Sequence, residues 1–459
     1  MRGPRLSVIV LLGAVLATFA SVVTASASGG PTLVKTIFPG GGSADLANFI
    51  RLSSSTALFQ ANDGTHGIEL WTTDGTGAGT RMVKDINPGS GQSYPRYMAV
   101  LGSEVLFQAD DGTHGEELWK SNGTSAGTSM VKDIDPGSTP SYPQWMTEFD
   151  GNVYFDAQDA THGLELWKSD GTSAGTTMVK NIASGSAGSA PEGFTVAGGK
   201  LFFSADTAAA GRELWTTDGT SAGTKMVKDI EPGSKGSGPD SLHAFDGDVY
   251  FGAGDSTHGY ELWKSDGTAA GTKLVKDIYG GAKSSIPVPQ VVMGGDLYLV
   301  ARNAPYGMQV WKTDGTAAGT VQVSDIDPGP NALIYPQTVV TMGGKIFFGA
   351  FDAGHGIELW RNSGSMGTGL LMKDIWPGSS GSQPNGMRVV GSTLLFTAFE
   401  PTHGTELWRT DGTQSGTKLV KDLLAGSGSS DATVELPLAG VALLSANAGV
   451  GDQLYKYTP

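Results

Sequence analysis

The stretch Tyr94-Pro95-Arg96-Tyr97-Met98-Ala99-Val100-Leu101-Gly102-Ser103-Glu104-Val105-Leu106-Phe107-Gln108-Ala109-Asp110-Asp111-Gly112-Thr113-His114-Gly115-Glu116-Glu117-Leu118-Trp119 decides the fold. Arg96–Leu101 and Val105–Ala109 are short β-prone runs bounded by breakers, and Gly102-Ser103 is a hairpin-length turn. The loop from Asp110 to Gly115 leads into a third run, Glu117-Leu118-Trp119-Lys120. The polar loop Ser121 to Thr128 leads into a fourth, Met130 to Ile134. Four strands in about 48 residues match one blade of a β-propeller.

The unit is copied along the chain. Its aromatic residue recurs as Trp71, Trp119, Trp167, Trp215, Trp263, Trp311, Trp360 and Trp408, at intervals of 48 residues with a single 49. A fixed period in this range means one supersecondary unit stacked on its copies, because a single copy cannot bury its own apolar face. The eight tryptophans are therefore structural, packing residues between neighbouring units.

The two ends hold complementary fragments of one more unit. Thr32 to Gly40 reads as a fourth strand lacking its first three, whereas Val434–Leu438, Ala439–Leu444 and Gln453–Lys456 read as three strands lacking a fourth. The expected architecture is thus all-β: a closed β-propeller of four-stranded blades, about nine in number, sealed by pairing the N-terminal strand with the C-terminal three. Closure removes the free strand edges that invite aggregation.

Residues 1–27 read as a secretory signal peptide: Arg2 and Arg5, an apolar run from Leu6 to Ala20, and the small-x-small triplet Ala25-Ser26-Ala27. Residues 28–459 form the single propeller domain. Cleavage near Ala27 predicts a secreted product, extracellular or periplasmic, with no membrane insertion. The chain has no cysteine, so neither disulfides nor thiolate metal sites support it. A net charge of −15 argues against nucleic-acid partners, which need clustered Lys and Arg.

Glu69-Leu70-Trp71-Thr72-Thr73-Asp74-Gly75-Thr76 resembles the bacterial family named for its ELWxxDGT repeat. The resemblance covers essentially the whole mature chain and implies a fold more than an activity. A weaker likeness is to the tryptophan-docking repeats of quinoprotein dehydrogenases: Ala109, Asp111, Gly115 and Trp119 fit that pattern, with Thr113 one place early. It implies tryptophan stacking between blades. It does not imply quinone chemistry, because the vicinal cysteine pair is absent. Ser169 to Thr172 and Ser265 to Thr268 resemble the Asp-box of sialidases, a local turn in which an Asp side chain accepts backbone N–H bonds.

Residues common to every copy are explained by packing, so function is sought where copies differ. The residue after the proline that opens each first strand varies freely: Arg96, Gln144, Glu192, Asp240, Val288, Gln337, Asn385. First strands line a propeller's central channel, and this position falls near its mouth. Arg96, Tyr97, Gln144, Trp145, Gln337 and Asn385 are the candidate binding residues, suited to a protein or glycan ligand. If the protein were an exported lyase or glycan hydrolase, Glu192, Asp240 and His243 would be its acid/base set, since they are titratable and not repeated. A purely structural envelope or matrix role is the third reading.

Six histidines share one loop position (His66, His114, His162, His258, His355, His403), where bonding to nearby backbone is expected. The dense oxygen donors of the same loops make Asp63, Asp110 and Asp111 calcium candidates, although no copy has full EF-hand spacing. No other cofactor is expected. The repeated Lys-Asp of the fourth strand and the Glu before each Leu-Trp are expected to form solvated cross-strand ion pairs.

Overall fold

The computed structural model describes residues 29–304, 306–326 and 339–459, so the signal segment and Gln337 lie outside the described residues. The described residues form nine four-stranded antiparallel sheets, each a blade. Blade 2 follows the quoted stretch, with strands Arg96–Leu101, Glu104–Asp110, Glu116–Ser121 and Ser129–Lys132. The fourth strand is shorter than expected, ending at Lys132 rather than Ile134. Blade 9 is the composite: Thr433–Leu438, Val441–Asn447 and Asp452–Tyr457 are completed by Thr32–Lys35 from the other end of the chain. Thr32 pairs with Lys456 and Leu33 with Tyr455. The first strands of successive blades touch one another around the ring, and those of blades 1 and 9 close it. First strands are therefore innermost. No described helix is long and apolar enough to cross a membrane.

Sheets pack face to face, and each interface is one hydrophobic cluster drawn from two blades. Trp119 of blade 2 packs with Val105 and Phe107 of its own sheet and with Leu58, Leu70, Val83 and Ile86 of blade 1. Trp167 and Trp215 repeat the arrangement on blades 2 and 3. Each fully buried Leu or Phe in such a cluster contributes about 1.5–3 kcal/mol relative to exposure.

The polar residues of the repeat are structural in a way their sequence positions conceal. Lys84 donates to the Thr128 carbonyl on the next blade at 2.9 Å, and its ammonium lies 5.8 Å from the Trp119 ring. Lys132, Lys228 and Lys276 do the same one blade further on. The expected cross-strand ion pair with the neighbouring Asp is replaced by an inter-blade tether. The glutamate of Glu-Leu-Trp is not solvated either. Glu69, Glu117, Glu165, Glu213, Glu261, Glu358 and Glu406 are all completely buried.

Each is a clamp. Glu117 accepts the Ile134 N–H at 2.7 Å, the Ser141 N–H at 3.0 Å and the Ser141 hydroxyl at 2.7 Å. It thereby ties its strand to the loop that runs on to blade 3. All seven glutamates accept a serine hydroxyl in this way. Blades 6 and 9 use Gln309 and Gln453 instead. Gln453 accepts the Ile37 N–H at 2.7 Å, and Gln309 the Ser324 hydroxyl at 2.7 Å. A neutral amide therefore performs the same task.

Burial raises the pKa of all seven clamp glutamates, against the opposing effect of their hydrogen bonds, and carries Glu69 and Glu117 from 4.5 to about 7. An acid with a higher pKa folded than unfolded stabilises the fold fully below its unfolded value and loses that contribution as pH rises through the folded one. The thermal midpoint should accordingly fall, on the order of 5 °C, between pH 5 and pH 8. Differential scanning calorimetry across this window checks it. Glu69→Gln with Glu117→Gln should flatten the slope, and a slope unchanged in that variant would disprove the assignment.

Candidate functional site

The entry to the first strand carries a β-bulge in every blade but the seventh, where it lies outside the described residues. In blade 3, Gln144 pairs with Asp156 and Thr147 with Tyr154, so one residue is extra. The extra residue takes left-handed backbone: Tyr97 has φ 53° and Trp145 φ 57°, where blades 4 and 8 place Gly193 and Gly386. Three residues earlier, ahead of the proline, Tyr94 and Tyr142 are also left-handed, at φ 46° and 50°. Bulky residues rarely adopt this conformation. The same positions are left-handed in other blades, at Asp45, Ala190, Ile286, Gln383 and Asp431 and at Asn48 and Ser241, so the conformation belongs to the repeat and blades 2 and 3 place aromatic rings on it.

The holding element is the clamp. Ser93 and Ser141, fixed by Glu69 and Glu117, immediately precede Tyr94 and Tyr142. Tyr94, Tyr97, Tyr142 and Trp145 are 41, 36, 36 and 47 % exposed, and no other described aromatic residue is exposed. The exposed rings of the described molecule are thus confined to the entries of blades 2 and 3.

Two of these rings, Tyr97 and Trp145, line a cleft of about 640 Å³ across the inner strands of blades 2 to 5, whereas Tyr94 and Tyr142 stand outside its lining. Tyr97, Trp145, Glu192 and Asp240 line it together, as does Ser204. Of the residues singled out from sequence, those four are brought together. His243 does not line the cleft; it is half-buried, and burial pushes its pKa down. Asn385 lies on blade 8, where its Oδ1 accepts the Gly386 N–H at 2.7 Å.

Beside the cleft, blades 2 and 4 each carry a row of three variable residues, one per strand. In blade 2, Arg96 donates to Gln108 at 3.0 Å and meets Glu116 at 3.4 Å. In blade 4 the polarity is reversed: Arg212, on the third strand, meets Glu192 at 3.0 Å and donates to the Ser204 hydroxyl at 3.1 Å. Blade 3 places Gln144 opposite Asp156, which is 3 % exposed and has one carboxylate oxygen without a partner. Burial pushes Asp156 up to about 7, with the Glu192 charge adding to the effect. The row's second and third members, Asp156 and Arg212 among them, escaped sequence reading. Their signal was available: the position holds Gln60, Gln108, Asp156, Ser204, Gly252 and Val300 in turn, as variable as the first-strand position.

The loop histidines bond not to backbone but to a carboxylate three residues earlier. His66 lies 2.8 Å from Asp63 and His114 2.8 Å from Asp111. These bonds raise the histidine pKa, and neighbouring charges add to them. Burial works to raise Asp63 and Asp111, but bonds from the loop outweigh it and leave both lowered. Asp110 accepts the Gly112 N–H at 2.7 Å. The three calcium candidates are thus engaged within their own loops. Among the described residues, no three His, Asp or Glu side chains gather closely enough to hold a metal.

No family model matches the chain, and no curated protein sequence matches it. Solved structures similar to it include a puromycin hydrolase, 13% identical with a TM-score of 0.39, covering 73% of this chain and 54% of that one. A Mycobacterium tuberculosis puromycin-hydrolyzing peptidase is 10% identical with a TM-score of 0.42, covering 77% and 57%. A structure from a study of two prolyl endopeptidases is 14% identical with a TM-score of 0.44, covering 79% and 57%. The chain thus spans little more than half the length of these proteins. At such identities and scores the likeness carries no inference about activity.

Proposed function

We propose that this chain is an exported, non-enzymatic member of the ELWxxDGT repeat family that binds a glycan at the channel mouth of blades 2 to 5. The observation that carries the reading is the confinement of exposed aromatic rings to Tyr94, Tyr97, Tyr142 and Trp145, all on left-handed backbone. Pyranose rings present apolar C–H faces that stack on aromatic side chains, while their hydroxyls seek carboxylates such as Asp240. A cleft of about 640 Å³ has room for a short oligosaccharide segment.

The hydrolase reading is less well supported. Glu192 shares the cleft with Asp240 but is committed to Arg212, and Asp240 accepts the N–H of Ser241 at 2.6 Å. His243 stands outside the cleft lining.

Glycan-array screening of the mature protein, followed by calorimetric titration, tests the proposal. Trp145→Ala should weaken binding by about tenfold, the worth of one stacked ring, with the melting temperature little changed because the ring is 47 % exposed. A blank array together with capture of a defined peptide would transfer the cleft to protein recognition. Turnover of any bound glycan would remove the non-enzymatic reading.

A further inference from the structure

A second cleft, of about 540 Å³, lies between blades 7 and 8, at the ends of the first strands away from the mouth. Lys345, which opens the second strand of blade 7, and Arg361, on its third, line it together. Phe347 pairs with Arg361, and Lys345 lies two residues before Phe347, on the same face of the sheet. Among the described residues no carboxylate pairs with either cation: Lys345 has no hydrogen-bond acceptor, and Arg361 donates only to the Gly412 carbonyl.

The other blades show what belongs between these two positions. In blade 2 they hold Glu104 and Lys120, which meet at 3.2 Å; in blade 5 Asp248 and Lys264, at 3.1 Å; in blade 6 Asp296 and Lys312, at 2.9 Å. Side chains at the two positions therefore converge on one ion pair. No other blade places a cation at both: Lys200 of blade 4 is matched with Thr216, and Arg409 of blade 8 with Thr393. Blade 7 lacks the carboxylate yet keeps the place for it. Asp411, also in the lining, does not supply it, since its Oδ1 accepts the Thr413 N–H at 2.9 Å and hydroxyl at 2.6 Å, the turn that Asp170, Asp218 and Asp266 make in their own copies. The corresponding cleft between blades 1 and 2 is neutral at both positions, with Thr56 and Thr72.

We propose that Lys345 and Arg361 bind the carboxylate of a small organic acid or acidic sugar, held where Glu104 sits on Lys120. A guanidinium presents parallel N–H donors that match the two oxygens of a carboxylate, and the lysine ammonium adds a further charge-assisted bond. Thr341 and Ser392 also line the cleft, with hydroxyls that bond to no described residue and can meet hydroxyls of the ligand. Phe347 and Val389 add apolar wall, and the volume falls within the range of small-molecule sites. In a chain of net charge −15 the paired cations are a local exception to a field that repels acids. The site stands apart from the cleft at the mouth and does not rest on the reading given to that cleft.

Calorimetric titration of glucuronate, acetate and the uncharged glucuronamide into the mature protein at low salt, paired with thermal melts, tests the site. Glucuronate should bind at a single site, glucuronamide at least about tenfold more weakly, and added sodium chloride should weaken the binding by screening. Glucuronate tighter than acetate makes an acidic sugar the source of the carboxylate, and equal affinities make it a free small acid. Lys345→Gln should cost about tenfold, the worth of one charge-assisted bond, whereas Lys200→Gln and Trp145→Ala should leave the affinity unchanged. Lys345→Glu restores the acid of blade 2, so it should abolish binding and melt at or above the wild type, and the loss cannot then be ascribed to misfolding. Absence of glucuronate binding in the wild type, undiminished binding in Lys345→Glu, or equal binding of glucuronamide would overturn the proposal.

Discussion

A variant lacking residues 29–38 is expected to lose its single sharp unfolding transition and to self-associate. These residues supply the fourth strand of blade 9 and Ile37, which is 3 % exposed within the cluster shared by blades 9 and 1. Removing Ile37 alone forfeits about 1.5–3 kcal/mol of burial. The deletion also takes the bonds from the Ile37 and Phe38 N–H groups to Gln453 and the Lys35 tether to the Thr80 carbonyl. It further bares the edge of Asp452–Tyr457, a template for pairing with a second chain. Against a net stability of about 5–15 kcal/mol this is a large fraction, and the melting temperature should drop by roughly 10 °C or more. Light scattering and calorimetry read both effects. A synthetic peptide of residues 30–40, added in excess, should restore the monomer. A truncated protein that stays monomeric with an unaltered melt would show that the seam is not needed.

Glu117→Ala should be among the most damaging point substitutions, at about 3–5 kcal/mol. It strands the Ile134 N–H and the Ser141 hydroxyl without an acceptor in a fully buried site. Each orphaned group costs about 1–3 kcal/mol. Glu117→Gln, in contrast, should cost less than about 1.5 kcal/mol, as Gln453 and Gln309 fill the same position. Chemical denaturation of the three proteins gives the comparison. The alanine variant should also lose affinity at the mouth, because Ser141 fixes the approach to Tyr142 and Trp145. Equal stability of the alanine and glutamine variants would refute the clamp.

The architecture was legible because repetition exposes it. Period, turn chemistry and the complementary ends of the chain all agree, and the paired Thr32–Lys35 and Asp452–Tyr457 strands meet as the sequence requires. The clamp was not read, because a glutamate beside a lysine-rich strand looks solvated when only residue types are seen. A spacing signal was present nevertheless. Serine lies 24 residues after every clamp glutamate, from Glu69 and Ser93 to Glu406 and Ser430, whereas Gln309 is followed at that distance by Leu333. In the composite blade, Ala44 takes the place of the serine. The lysine tethers left no comparable trace, since their acceptors are backbone carbonyls on the next blade.

At the mouth, Glu192 and Asp240 were identified as titratable residues at the variable first-strand position and Tyr97 and Trp145 as aromatic residues close to it, and the cleft unites the four. Tyr94 and Tyr142 were missed because a residue before proline is normally extended, whereas both are left-handed here. Arg212 pairs with Asp206 in the register, and its guanidinium reaches diagonally to Glu192 and to Ser204, which pairs with Glu192, so sequence spacing alone does not join the two charges.

The clamps separate two kinds of inheritance within one chain. Because the buried Glu-Ser contacts, with Gln309 and Gln453 in blades 6 and 9, carry the crossings between blades, the aromatic and charged positions beyond them are free of duties to the core. Exchanging those positions should redirect recognition while the wheel itself is indifferent to the change. A library randomised at Tyr94, Tyr97, Tyr142 and Trp145 would then be an evolvable receptor on a fixed chassis, diversified as an antibody is.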